Sequence, residues 1–282
     1  MKKILSFTLL ILFMAVSTFA GVEWVSKITT SAEKGKDSEM TSHVYAQGGD
    51  VKQVFKNVAK DKRNVYIEDG YWLYKGKENM MYLVNDKEKT VTPLSLDALL
   101  QMTAVVGELV KIQIYDHQVN TEILNPEEVM GHLCNHVRIT SDYTMKMKIA
   151  FIKKTFQVHE VKEIWASSNV KYLNEISQSF LNKDFKTGFE ELDKMIEKEM
   201  AQMKKMGFPL KTVTHNIQKG KKGKVLSDTI TAMEVLEINS KSFPASFFEI
   251  PKDYQMADSQ MASDEGEESG GKKKKKKKFG IF

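Results

Sequence analysis

Between Val22 and Val91 the chain reads as short apolar bursts cut by turn residues. Val44-Tyr45-Ala46 stops at Gly48-Gly49-Asp50, and Asn64-Val65-Tyr66-Ile67 stops at Asp69-Gly70. Tyr71-Trp72-Leu73-Tyr74 stops at Lys75-Gly76-Lys77, and Met80 to Val84 stops at Asn85-Asp86. Aromatic and β-branched runs bounded by Gly, Asn or Asp predict consecutive antiparallel hairpins. Two of these strands are apolar at every position. Tyr71 and Leu73 alternate with Trp72 and Tyr74; Met80, Tyr82 and Val84 alternate with Met81 and Leu83. A sheet with one wet face would place a polar residue at every second position, so both faces must be covered or one must line a cavity.

Periodicity changes farther along. Thr92 before Pro93 suits an N-cap and first turn, and Leu96, Leu99, Leu100, Thr103 and Val106 then form a stripe at helical spacing. Thr187 and Glu190 fit a capping box, Phe189, Leu192, Ile196, Met200 and Met203 follow on one face, and Gly207 with Pro209 ends the helix. Between these helices a second strand block is predicted at Lys111 to Asp116, Leu133 to Thr140, Tyr143 to Ile152, Thr155 to Glu160 and Val161 to Ala166. Leu210 to Ile217 and Ser227 to Ile238 read as the last strands, joined by a basic hairpin tip at Lys219 to Lys224. The fold class is α+β.

Both ends depart from this pattern. Lys2 and Lys3, the apolar run Ile4 to Val16, and the small residues Thr18 and Ala20 read as an export signal of residues 1–20. The run is short of the roughly 20 residues that span a bilayer, and Gly21 rather than cysteine follows the cut. The expectation is a periplasmic or extracellular protein, soluble and without a lipid anchor. Residues 257–282 turn small and acidic, then carry seven lysines from Lys272 to Lys278 before Phe279-Gly280-Ile281-Phe282. This composition predicts disorder. Lys272, Lys275 and Lys278, with Phe279 and Phe282, offer a handle for anionic lipid at about 1 kcal/mol per lysine near the surface. The folded domain expected is residues 21–256.

Charge excludes one class of partner. The formal net charge is +5, but residues 21–252 hold 33 basic against 31 acidic side chains. A near-neutral body argues against a nucleic-acid surface. With Cys134 as the only cysteine, no intramolecular disulfide can form, and stability must come from the core. Catalytic motifs are missing: there is no G-x-S-x-G elbow, no phosphate-cradling glycine loop, no H-E-x-x-H and no C-x-x-C-H. A non-enzymatic monomer without a cofactor is expected. The sharpest constellation is Gly131 to Thr140, where a strand would align His132, Cys134 and His136 on one face. Imidazole and thiolate suit zinc or copper, which makes a metal-binding envelope protein the alternative reading. The plainer reading is a half-buried cysteine flanked by solvent-facing histidines.

Taken together, the signal, the strands before Val91, the run Asp69 to Leu94, the Gly131 to Thr140 strand, Lys162 to Ser167, the helix ending at Gly207-Phe208-Pro209, and Ser246 to Gln255 resemble a family of exported bacterial domains of unknown function. That family is similar in architecture to the lipoprotein carriers LolA and LolB. The resemblance implies a strongly curved antiparallel sheet, an unclosed half-barrel, with helices packed on its concave face. It also implies an acyl chain, lipid or other apolar small molecule held between sheet and helices. The cavity expected on this basis is lined by Trp72, Tyr74, Met80, Tyr82, Met147, Phe151, Trp165 and Met200.

Overall fold

The computed structural model describes residues 21–33, 37–57, 69–95, 110–149, 152–170, 173 and 190–257. The export signal, the lysine tail, Phe151, the Asn64 to Ile67 strand, Thr187 and the stripe from Leu96 to Val106 lie outside these residues. Thirteen strands are present among the described residues: β1 Gly21–Ala32, β2 Ser38–Gln47, β3 Asp50–Lys56, β4 Gly70–Lys75, β5 Met80–Asn85, β6 Thr90–Ser95 and β7 Val110–Ile123, then β8 Glu127–Val129, β9 His132–Ile149, β10 Ile152–Ser167, β11 Phe208–Lys219, β12 Val225–Lys241 and β13 Gln255–Met256. One α-helix is delimited among the described residues, α1, Glu190–Met206.

The strands form one open sheet in the order β13-β6-β5-β4-β3-β2-β1-β12-β11-β10-β9-β7, with β8 paired to β9. Every ladder is antiparallel except β13 on β6. The ends of the path, β13 and β7, do not meet, so the sheet is curved and unclosed as expected. Of the two predicted helices, the second is present as α1, and the start expected for the first is a strand. Thr92 and Pro93 sit in β6, opposite Leu83 and Tyr82, rather than at a helix start. β13 reaches only Val91, which leaves Pro93 on open edge, where a missing N–H is tolerated.

Two pairs of predicted strands are each one long strand. Ser141 and Asp142 continue β9, and Glu160 to Val161 continues β10, because each polar residue has a polar cross-strand partner: Ser141 faces Glu160 and Asp142 faces His159.

Register assigns side chains to two faces. Trp72, Gln53, Val44 and Trp24 lie opposite one another across β4, β3, β2 and β1. On the same face of β1, Thr30 continues the row through Thr231, Thr214, Lys162 and Ile139 to Thr121. This face carries α1, with Met206 packed on Val137, Ile139, Ile164 and Ala166. Three features define the helix. Glu190, Glu191 and Asp193 occupy its first turn and Lys204 and Lys205 its last, matching the helix dipole. Gly207, at φ +98°, then turns the chain into β11.

The opposite face is closed at the β2–β6 end by the chain's own strap, Phe243 to Tyr254. Leu73, Val84 and Val91 are fully buried there beside Tyr71, Tyr82, Phe243 and Phe248. Phe243 stacks on Phe247 at 4.9 Å, and Phe248 meets both rings edge-on. Gln47 fixes the strap's start, accepting from Phe243 N at 2.8 Å and donating Nε2 to Phe243 O at 2.9 Å. Farther along, Lys75 Nζ pairs with Asp50 and donates to Phe248 O, and Tyr254 donates to Asp86.

Candidate functional site

A cleft of about 460 Å³ lies between α1 and the face of β7, β9 and β10. The sheet contributes His117, Val119, Thr121, Ile139, Ser141, Tyr143, Glu160 and Lys162; α1 contributes Met195, Lys198, Glu199, Ala201 and Gln202. These helix residues fall at spacings of three and four, so one face of α1 roofs the cleft. Two polar ties hold that roof. Lys162 Nζ forms an ion pair with Glu199, and Gln202 Nε2 donates to Thr121 Oγ1 at 3.4 Å. Glu160 is engaged by Lys162 at 3.7 Å and by Asn216 Nδ2 at 3.0 Å. Tyr143 meets His117 edge-on at 5.9 Å. Burial, followed by the charge of Lys198, holds the His117 imidazole below its ordinary range, and burial beside Glu160 raises the Tyr143 phenol.

The expected cavity residues do not converge. Trp72 and Tyr74 are on the α1-bearing face, but five strands separate β4 from β10, which places them about 30 Å along the sheet from the cleft. Trp72 packs edge-on against Phe55 and Tyr74 donates to Asn79. Met80 and Tyr82 point the other way, into the strap core, where Tyr82 Oη donates to Glu78 at 2.8 Å. Met147 is half-buried on β9 opposite Ile112. Met200 is half-buried on α1, outside the cleft lining. Trp165 belongs to the central core with Cys134, Val22, Ala46 and Leu210, and its indole N–H donates to Glu127 at 2.9 Å.

His132, Cys134 and His136 are placed differently from either sequence reading. Cys134 is fully buried; burial raises its thiol, which donates to His132 O at 3.4 Å. His136 is also buried, stacked on Trp165 at 4.1 Å. Its Nε2 lies 3.0 Å from Glu163 and its Nδ1 3.3 Å from Glu127. An imidazole with a carboxylate at each nitrogen turns no lone pair toward a metal. Arg138 completes the group through two donors to Glu163 Oε1 at 2.8 and 2.9 Å. Burial pushes the Glu163 carboxyl upward, but bonds and charges from Arg138 and His136 outweigh it and hold the group below the usual carboxylate range. Two further histidines are engaged elsewhere, His159 with Asp142 at 2.8 Å and His215 with Asp228 at 2.7 Å. Among the described residues no group of three or more His, Cys, Asp or Glu is arranged to hold a metal ion, and no helix is long and apolar enough to cross a membrane.

Fold and cleft together define a class: an open antiparallel sheet carrying an amphipathic helix over a ligand-sized cleft. The chain belongs to the family described as Domain of unknown function (DUF4412), whose match spans residues 27–254. No curated protein matches it. Among solved structures it is similar to a LolA superfamily protein from Nitrosomonas europaea, at 11% identity over 82% of this chain and 90% of that one, with a TM-score of 0.29. It is also similar to a DUF1329 family protein from Desulfovibrio piger, at 11% identity over 85% of this chain and 93% of that one, with a TM-score of 0.29.

Proposed function

We propose that this chain is an exported, non-enzymatic binding protein that holds a lipid, acyl chain or other apolar small molecule in the cleft beneath α1. The observation that carries this reading is the cleft itself. Its volume falls within the roughly 300–1,000 Å³ common for ligand pockets, and its walls mix apolar Val119, Ile139, Met195 and Ala201 with a few polar groups. Within the cleft, two polar contacts join the roof to the floor among the described residues, which suits a ligand that must enter between helix and sheet.

Native mass spectrometry of protein purified from its own envelope tests the reading. The expected result is an adduct that solvent extraction removes and that the cleft-filling variant Ala201→Trp lacks. Parent protein that carries no adduct and takes up no fluorescent acyl probe rejects it.

A further inference from the structure

Two nitrogen-bearing side chains in the cleft are left over once α1 is attached. Lys162 is taken by Glu199 and Glu160, Glu160 also accepts from Asn216, and Gln202 reaches Thr121. By contrast, His117 Nε2 is buried and makes no hydrogen bond, and Lys198 forms no ion pair among the described residues. A buried polar nitrogen without a partner costs about 1–3 kcal/mol, a penalty that a ligand oxygen would remove. Lys198 is close enough to act electrostatically on His117, so the two share one corner of the cleft. Glu160 and Glu199 share Lys162, and Lys198 is, among the described residues, the cleft lysine that no carboxylate pairs with. Val119, Ile139, Met195 and Ala201 supply apolar wall beside it.

We propose that the cleft is specific for an amphipathic acid, with a carboxylate or phosphate head group held by His117 Nε2–H and Lys198 Nζ and an apolar chain under α1. This specificity rests on the cleft being the binding site. A charge-assisted pair of donors favours an anionic oxygen over an alcohol of the same chain length.

Displacement of an uncharged fluorescent amine probe from the full mature chain at low salt tests the proposal. The competitors are dodecanoate, dodecyl phosphate, dodecanol and inorganic phosphate. The two anionic amphiphiles are expected to compete at least about tenfold better than dodecanol. The double variant H117F/K198M, with parent-like circular dichroism, is expected to bring acid and alcohol to parity without weakening the alcohol. Binding of inorganic phosphate alone, lost in the same variant, would support the anion site and assign it to a free ion rather than a lipid head group. Equal competition by acid and alcohol in the parent overturns the head-group assignment while leaving an apolar ligand in the cleft intact. Displacement by no competitor, with no phosphate binding, overturns both.

Discussion

The two ends of the sheet are covered in opposite ways. At the β2–β6 end the cover is a strap of aromatic rings, stacked or edge-on within 5–6 Å, above fully buried Leu73, Val84 and Val91. At the β7–β10 end the cover is α1, which packs Met206 on Val137, Ile139, Ile164 and Ala166, reaches the cleft floor through Lys162–Glu199 and Gln202–Thr121, and leaves about 460 Å³ beneath it. Dry aromatic contacts gain dispersion and apolar burial together, whereas polar ties across a wet cleft contribute little net stability. The difference teaches a division of labour. The strap end is closed by apolar aromatic packing, and the helix end leaves contacts free for a ligand.

The strongest way to break this comparison is at the strap. Phe248 is 3% exposed and touches Phe243 and Phe247, so Phe248→Ala is expected to cost about 3–5 kcal/mol in chemical denaturation. Probe binding by the fraction that remains folded is expected to be unchanged. A variant that unfolds normally but loses its ligand would refute the division.

Alkali gives a second test at the same end. Burial, with smaller contributions from Asp86 and Tyr254, pushes the Tyr71 phenol up to about 12 from an ordinary value of 10. A raised acid favours the folded state while neutral. Its contribution is therefore complete below pH 10 and is lost as pH rises through about 12, a loss of roughly 2–3 kcal/mol. Tyr71→Phe should shorten the alkaline limb of a stability–pH curve by that amount. An unchanged limb would mean that the strap does not exclude water.

At the helix end, Gly207→Ala attacks the joint between α1 and β11. A Cβ there would stand 2.5 Å from Ser167 O, at a backbone angle of φ +98° that side chains rarely adopt. The expected cost is about 1–3 kcal/mol from the backbone conformation alone. Because the distortion reaches α1, acyl-probe affinity is expected to fall with it, the reverse of the Phe248 result.

This asymmetry also marks where sequence reading succeeds. The hairpins at Gly48-Gly49 and Lys75-Gly76 were legible because turns need special residues, and α1 was legible from its apolar spacing and from Gly207 with Pro209. Pro93 misled because local chemistry suits a helix start equally well, while its strand position depends on how short β13 is. The strands of Trp72 and Tyr82 were read as covered on both faces or lining a cavity, and alternation within a strand cannot say that one face meets Phe55 and the other meets a strap far along the chain. The cleft was hidden for the same reason. Met195, Lys198 and Gln202 share a helix face by spacing, yet nothing local identifies β7 and β9 as the strands beneath them.

The smallest effect, and the sharpest for function, is expected from Lys162→Met. Lys162 is the link between the cleft floor and Glu199 on α1, and its own side chain is 21% exposed against 39% for Glu199. A pair this wet is worth under about 1 kcal/mol, so the melting temperature should barely move. Its loss nevertheless leaves Gln202–Thr121 as the polar tie between α1 and the cleft floor among the described residues. Amide exchange within residues 195–202 should then quicken, and probe dissociation should quicken with it, while the strap amides around Phe243 and Phe248 stay protected. Faster exchange in α1 without faster release would place the gate elsewhere. Unchanged exchange would show that Met206 and its apolar neighbours alone hold the helix.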